Sequence, residues 1–311
     1  MTPTARAGGP DDMGTMEEGP VAEILAALAR DDPNGVVAAL DGQLRQGRPG
    51  SPAALRQQVG ETMAVALASQ TGKIPRWIDI LAGSPSPTAR QVACLLLADR
   101  YPSDRAGVLK MAETLADDPH WEVRDAAAGL LGTLLDRDFE RIRARCEEWR
   151  SSRSENLRRA VVLAVKYAAR RGKPERIPEL MGILEPLLRD PTPYVRRNLG
   201  PFAIGDGMLR VDPKATLKYL REWSHDRDQI VRWNVAMAFS SAIGSFHWPA
   251  AKGTLERLAR GPEPLVRMAV AKAMRRCRQR YTDDVEETRR RWLKDRDREP
   301  TAQLIGPLRK R

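Results

Sequence analysis

A short phrase that ends in an apolar residue followed by arginine recurs six times along the chain at nearly even spacing. The phrase arginines are 34, 34, 38, 36 and 35 residues apart: Arg90, Arg124, Arg158, Arg196, Arg232 and Arg267. Three of the six phrases open with Asp or Ser followed by Pro, as in Asp118-Pro119, a composition typical of a capped helix start. Such a period predicts a repeat protein, because each repeat must bury its apolar surface against its neighbours.

Two helices fit into each interval of this repeat. An Ala-rich amphipathic run follows each phrase, as in Val161–Ala169, and a second helical stretch such as Phe139–Trp149 precedes the next phrase. The sequence therefore predicts an all-α fold, a right-handed α-solenoid of about six to seven HEAT-like helix pairs. We assign residues 1–19 to a disordered leader, residues 20–285 to the solenoid and residues 286–311 to a charged C-terminal capping helix and tail.

The composition narrows the functional class. No apolar run is long enough to span a bilayer, and the N-terminus does not have the pattern of a secretion signal. The three cysteines, Cys94, Cys146 and Cys277, form no CxxC pair and predict reduced thiols in a cytoplasmic protein. No set of residues has the spacing of a metal site, so we expect no metal. We also expect no cofactor and no membrane contact. Because capped solenoids are often monomers, we expect a monomeric protein.

The charge of the chain indicates an anionic partner. Lys and Arg number 52 against 41 Asp and Glu, which gives a net charge of +11. Between Arg141 and Arg176, twelve basic and four acidic residues give a local balance of 12 − 4 = +8. A surface of this kind attracts a phosphate backbone. A solvated helix face without any partner is the alternative interpretation.

Trp121 and Asp125 are four residues apart on one predicted helix and therefore share a face. The stretch from His120 to Tyr167 resembles the bacterial alkylpurine DNA glycosylases built from HEAT-like repeats, the AlkD type. The resemblance rests on Trp121-Glu-Val-Arg-Asp125, then on Leu-Arg-Arg159-Ala, and then on Lys166-Tyr167. The 34 residues between Asp125 and Arg159 match the spacing of that family to within a residue.

The resemblance implies the roles of the site residues. Asp125 would be the catalytic carboxylate, Trp121 its aromatic partner, and Arg159 a cation that organises the site or binds phosphate. Phe202 would replace a cleft aromatic of the family that falls near Pro201, within a helix pattern broken by several glycines. The candidate DNA contacts are Arg159, Arg158, Lys166, Arg197, Phe202 and Trp233.

These residues suit one reaction, the excision of N3- or N7-alkylated purines from double-stranded DNA. Such a base is already cationic and leaves as a neutral purine, so the enzyme must stabilise the oxocarbenium-like sugar, which a fixed carboxylate does electrostatically. An indole adds cation–π attraction. The resemblance further implies that the base is not flipped out of the duplex and that bulky adducts are accepted.

The same residues allow a second interpretation. A HEAT-type scaffold without catalytic activity could bind DNA or an acidic protein through the same basic surface. Asp125 would then pair with Arg159 or with a phrase arginine, and Trp233 would pack between repeats. The two interpretations differ in whether base is released from alkylated DNA.

Overall fold

The structure, a computed structural model, describes residues 20–45, 53–68 and 71–308. All regular structure within these ranges is helical, and HEAT repeats are present, which confirms the predicted all-α solenoid class. The leader predicted for residues 1–19 lies outside the described residues. The chain divides after Val108 into two compact units, residues 1–108 and 109–311.

The first unit is built around short helices with apolar faces. Trp77, Ile78 and Leu81 lie on the buried face of α4, against α5. Ser86 caps α5 by accepting a hydrogen bond from the Ala89 N–H at 3.2 Å. The helices are α1 (Pro20–Ala29), α2 (Pro33–Arg45), α3 (Ala53–Ala68), α4 (Ile74–Ala82), α5 (Pro87–Arg100) and α6 (Arg105–Ala116), the last of which contains the division between the units.

The second unit contains the remaining helices. Between α11 and α12 the chain forms a π-helix, Leu199–Met208. Helix α17 contains the boundary between residues 285 and 286 that we placed from the sequence. The helices are α7 (Trp121–Arg137), α8 (Phe139–Trp149), α9 (Glu155–Ala169), α10 (Ile177–Leu184), α11 (Pro193–Asn198), α12 (Leu209–Val211), α13 (Pro213–Trp223), α14 (Gln229–Ala238), α15 (Trp248–Leu258), α16 (Pro264–Arg278), α17 (Thr282–Trp292) and α18 (Glu299–Ile305).

These helices form two layers in the second unit. In one layer, α7, α9, the π-helix, α14 and α16 follow the phrases and each packs against the next. In the other layer, α8, α10, α13 and α15 contact one another in the same order. Small residues let the first layer pack closely: a Cβ on Gly132 of α7 would lie 2.8 Å from the Ala164 carbonyl of α9. This close contact fixes the positions of the side chains that α7 and α9 share.

Three phrases fold into a closed turn at the start of the helix, those of Arg90, Arg124 and Arg158. At α7, the Asp118 carboxylate accepts a hydrogen bond from the His120 N–H at 2.8 Å, and its carbonyl accepts one from Arg124 Nη1 at 2.6 Å. The corresponding pairs of bonds link Ser86 and Arg90 to Ser84, and Ser154 and Arg158 to Ser152. At Ser84 and Asp118 the opening residue therefore holds the N-cap residue two positions later, which corrects our prediction, whereas Ser154 caps α9 as predicted.

Arg158 joins one repeat to the next. Besides closing its own turn, it donates from Nε to the Asp190 carboxylate at 2.6 Å and from Nη2 to Thr192 Oγ1 at 2.9 Å. The Asp190 side chain is almost fully buried. Burial raises the pKa of Asp190, but the hydrogen bonds from Arg158 and Thr192 outweigh it and hold the pKa below its ordinary value. Arg158, a predicted DNA contact, therefore has protein acceptors on its guanidinium and joins two repeats.

Candidate active site

Four of the candidate site residues occupy the same position in successive repeats, immediately after the phrase arginine. In the second unit this position lies on neighbouring helices of the first layer. We call these residues the site row: Asp125 on α7, Arg159 on α9, Arg197 on α11, Trp233 on α14 and Met268 on α16. The repeat therefore brings an acid, two cations and an aromatic residue side by side, although they are far apart in sequence.

Asp125 lies between two partners donated by α9. Its Oδ2 accepts a hydrogen bond from the Tyr167 hydroxyl at 3.1 Å, and its Oδ1 lies 3.5 Å from Arg159 Nη2. The side chain remains 39% exposed. Arg159 is at ion-pair distance, but the contact is too long for a strong hydrogen bond. The carboxylate is thus oriented by protein groups and still open to a ligand.

Tyr167 acts as a fixed donor to this carboxylate. Burial raises the pKa of the Tyr167 phenol, and the nearby negative charge of Asp125 raises it further. The hydroxyl therefore stays protonated at neutral pH and can only stabilise the ionised form of Asp125. Sequence reasoning quoted Tyr167 as part of the family pattern but did not assign it a role.

Trp121 is the first residue of α7, one turn before Asp125, and is 59% exposed. Three other phrases have proline at this position, namely Pro87, Pro193 and Pro264. The indole is therefore open to a ligand one turn before Asp125, and Trp121 stays a predicted site residue.

Tyr194 organises three arginines and was missed from the sequence. The guanidinium carbon of Arg159 lies 5.0 Å from the centre of its ring, and those of Arg124 and Arg197 lie 5.8 and 5.9 Å away. Its hydroxyl also accepts a hydrogen bond from Arg124 Nε at 3.2 Å. Stacking of this kind keeps Arg159 beside Asp125 without neutralising its charge. The available signal was repeat position: Asn156 occupies this place one repeat earlier and Glu122 two repeats earlier.

The π-helix carries Phe202, which is 38% exposed. A Cβ on Gly200 would lie 2.6 Å from the Asn234 carbonyl of α14, so glycine is required at this crossing. The broken helix pattern seen in the sequence thus becomes a widened helical turn, a feature often found at functional sites. Phe202 lies within reach of the site row and remains a candidate DNA contact, as do Arg197, which is exposed, and Trp233, whose ring lies near Arg196.

Lys166, which the resemblance gave as a DNA contact, lies buried in the structure. The residue is only 1% exposed, and its ammonium lies over the Phe202 ring beneath the site. Burial lowers the pKa of Lys166 to about 7, and the charge of Arg170 contributes to the shift. Asp206 and Asp125 oppose the shift, and Arg210 adds to it. Lys166 therefore supports Phe202 from below.

This burial predicts that folding stability depends on pH. A lysine with a depressed folded pKa destabilises the fold fully below pH 7, and the penalty disappears as the pH rises toward the unfolded value near 10.5. From pH 7 to pH 9, wild type should gain about 2 kcal/mol of unfolding free energy relative to Lys166→Met. Urea denaturation of both proteins measures the difference and cancels the titration of Cys146 and Cys277. A parallel pH response in the two proteins would show that Lys166 keeps its charge.

Other classes of site are not indicated by the described residues. Within residues 20–45, 53–68 and 71–308, no group of three or more His, Cys, Asp and Glu side chains is arranged to hold a metal ion. In the same ranges no helix is both long and apolar enough to cross a bilayer. Cys94, Cys146 and Cys277 are buried free thiols, and burial raises the pKa of Cys146 and of Cys277 to about 12.

Comparison with protein families agrees with this geometry. The model described as DNA alkylation repair enzyme matches residues 53–204, which include Trp121, Asp125, Arg159, Tyr167 and Tyr194. Residues 53–204 belong to the DNA alkylation repair enzyme family. A model for HEAT repeats matches residues 182–275. The site row thus begins in the segment that matches the repair family and continues, at Trp233, into the HEAT-repeat segment.

Solved structures show only a distant likeness to this chain. The X-ray structure of YibA from Escherichia coli is 15% identical, with a TM-score of 0.37, and the match covers 98% of this chain and all of that one. An engineered protein is also 15% identical, with a TM-score of 0.23, covering 92% of this chain and 96% of the other. No curated protein matches the sequence.

Proposed function

We propose that this protein is a DNA glycosylase that hydrolyses the N-glycosidic bond of N3- or N7-alkylated purines in double-stranded DNA. The observation that supports the proposal most directly is Asp125: a carboxylate oriented by Tyr167 and Arg159 but still partly open to solvent. A carboxylate with a purely structural role gains nothing from this exposure.

The proposed reaction follows from charge. As the bond between C1′ and the purine nitrogen breaks, its electron pair neutralises the positive charge of the alkylated base, so no general acid is required. Positive charge then develops on the deoxyribose, and the ionised Asp125 stabilises it. Water adds to C1′, and its proton passes to Asp125 or to solvent. Trp121 provides an exposed π-face for the cationic sugar or base.

DNA binding is proposed to use the cations around Tyr194. Arg159 and Arg197 stand in the site row, and Arg197 is exposed. In the described part of the chain, no carboxylate lies within 4.0 Å of the Arg197 guanidinium, so its positive charge is not compensated. Its Nε donates one long hydrogen bond, 3.4 Å, to the Pro193 carbonyl. We propose duplex DNA as the substrate and a monomer as the active form.

Base release from alkylated DNA tests the proposal against the scaffold interpretation. The protein is incubated with duplex DNA that contains 7-methylguanine, and free base is measured by chromatography against a protein-free control. We expect enzyme-dependent release at a rate proportional to bound DNA. Tight DNA binding with no release above the spontaneous rate would contradict the glycosylase and leave a DNA-binding scaffold.

A further inference from the structure

A pocket of about 510 Å³ lies beyond the site row, between the 3₁₀-helical segment Gly244–His247 and the C-terminal end of α16. We propose that this pocket binds a phosphodiester of the DNA strand that passes over the active site, an inference that rests on the proposed function. The lining residues are Ala242, Ser245, Phe246, Arg276, Gln279 and Arg280.

The two lining arginines keep their charge. In the described part of the chain, neither Arg276 nor Arg280 has a carboxylate within 4.0 Å. Arg276 Nη1 donates to the neutral amide of Gln279 at 2.6 Å, and the Arg280 guanidinium lies 3.9 Å from the centre of the Phe246 ring. Each guanidinium therefore retains N–H donors for an anion.

Neighbouring arginines on α16 are used differently. Arg275 donates to the Leu304 carbonyl at 2.6 Å, and Arg278 pairs with Glu286 at 2.8 Å while also donating to the Gly306 carbonyl. These two hold the C-terminal helices, whereas Arg276 and Arg280 border an open cavity. Within this end of α16 and the turn after it, Arg276 and Arg280 are thus the arginines that line the pocket.

Hydrogen bonds hold the wall of the pocket and link it to the π-helix. The Tyr281 hydroxyl donates to the Phe246 carbonyl at 2.7 Å and anchors the 3₁₀-helical wall. Asp206, one turn after Phe202 in the π-helix, accepts a hydrogen bond from the Ile243 N–H at 3.1 Å. This bond ties the pocket wall to the helix that carries Phe202, so a strand that contacts Phe202 has a cationic pocket one repeat further on.

The lining fits a sugar–phosphate unit better than a carboxylate alone. Two guanidinium groups suit the oxygens of one phosphate, and Phe246, at 39% exposure, offers an apolar surface to a deoxyribose. No side chain of the lining is placed to distinguish one base from another by paired donors and acceptors, so the contact should be independent of sequence.

Salt dependence of DNA binding tests the pocket. Affinity for unmodified duplex DNA is measured by fluorescence anisotropy over a salt series for wild type and for the double variant Arg276→Ala/Arg280→Ala. Loss of one phosphate contact should reduce the slope of log K against log salt by about 0.9. A matched control, Lys218→Ala/Arg221→Ala, removes two exposed cations from α13 in the other layer and should leave the slope unchanged.

The outcomes separate this inference from the proposed function. A slope that is equal in the double variant and in wild type overturns the pocket, and so does a slope reduced equally by the α13 control. Arg280→Gln, which removes the charge but keeps a polar side chain, provides the same test if the double variant unfolds. Base release at saturating DNA should be unchanged in the pocket variants. If wild type binds no DNA at all, the proposed function fails, and the pocket assignment fails with it.

Discussion

Replacement of Asp125 by asparagine should slow the release of 7-methylguanine by about a hundredfold or more. The amide keeps the size of the side chain but removes the negative charge that faces the developing sugar cation. DNA affinity should be retained or increase, because Arg159 loses its acidic partner and becomes free to bind phosphate. Single-turnover release and anisotropy on the same duplex measure the two quantities separately.

Asp283→Asn is the matched control for the loss of one carboxylate. Asp283 is exposed in the first turn of α17, away from the site row, so its removal should alter neither release nor affinity. If Asp125→Asn retains the wild-type release rate, Asp125 is not the catalytic carboxylate, and its contacts with Tyr167 and Arg159 are structural.

Arg158→Ala should lower the free energy of unfolding by about 3–5 kcal/mol, because it leaves the buried Asp190 carboxylate without its cation. The variant also loses the bonds that close the turn before α9. Urea denaturation measures the change. Arg153→Ala removes an exposed arginine from the same turn and should shift the unfolding free energy by no more than about 0.5 kcal/mol.

A second variant distinguishes a stranded charge from lost packing. Arg158→Met/Asp190→Leu replaces the ion pair with apolar side chains and should recover much of the stability lost in Arg158→Ala. If the double variant is as unstable as the single one, the turn bonds of Arg158 dominate and the pair with Asp190 contributes little.

The repeat itself was readable from the sequence because it depends on local chemistry. Evenly spaced arginines and capped helix starts predict helix pairs whatever the neighbouring repeats contain. The motif residues Asp125 and Arg159 also meet as their spacing indicated, since one repeat of separation places them on adjacent helices.

The sequence did not reveal the direction in which individual side chains point or the contacts that form between repeats. Lys166 follows a helix face that turns into the core, which adjacency to Tyr167 in the motif does not reveal. Tyr194 gained its role only when three repeats brought their arginines around it. The widening of the chain after Asn198 was visible only as an excess of glycine, because the π-helix depends on the close approach of α14.

The closed turns before α7 and α9 separate the residues that hold the fold from the residues that can vary in evolution. Arg124 and Arg158 each close a backbone turn. The residues directly after them, Asp125 and Arg159, instead contribute their side chains to the candidate site. The residue that closes the turn and the residue that contributes to the site are therefore neighbours in the sequence, and each can be substituted without the other. During evolution, the residue after each phrase arginine could change from acidic to basic or aromatic, one repeat at a time. The protein would then acquire new selectivity while its helical framework stays intact.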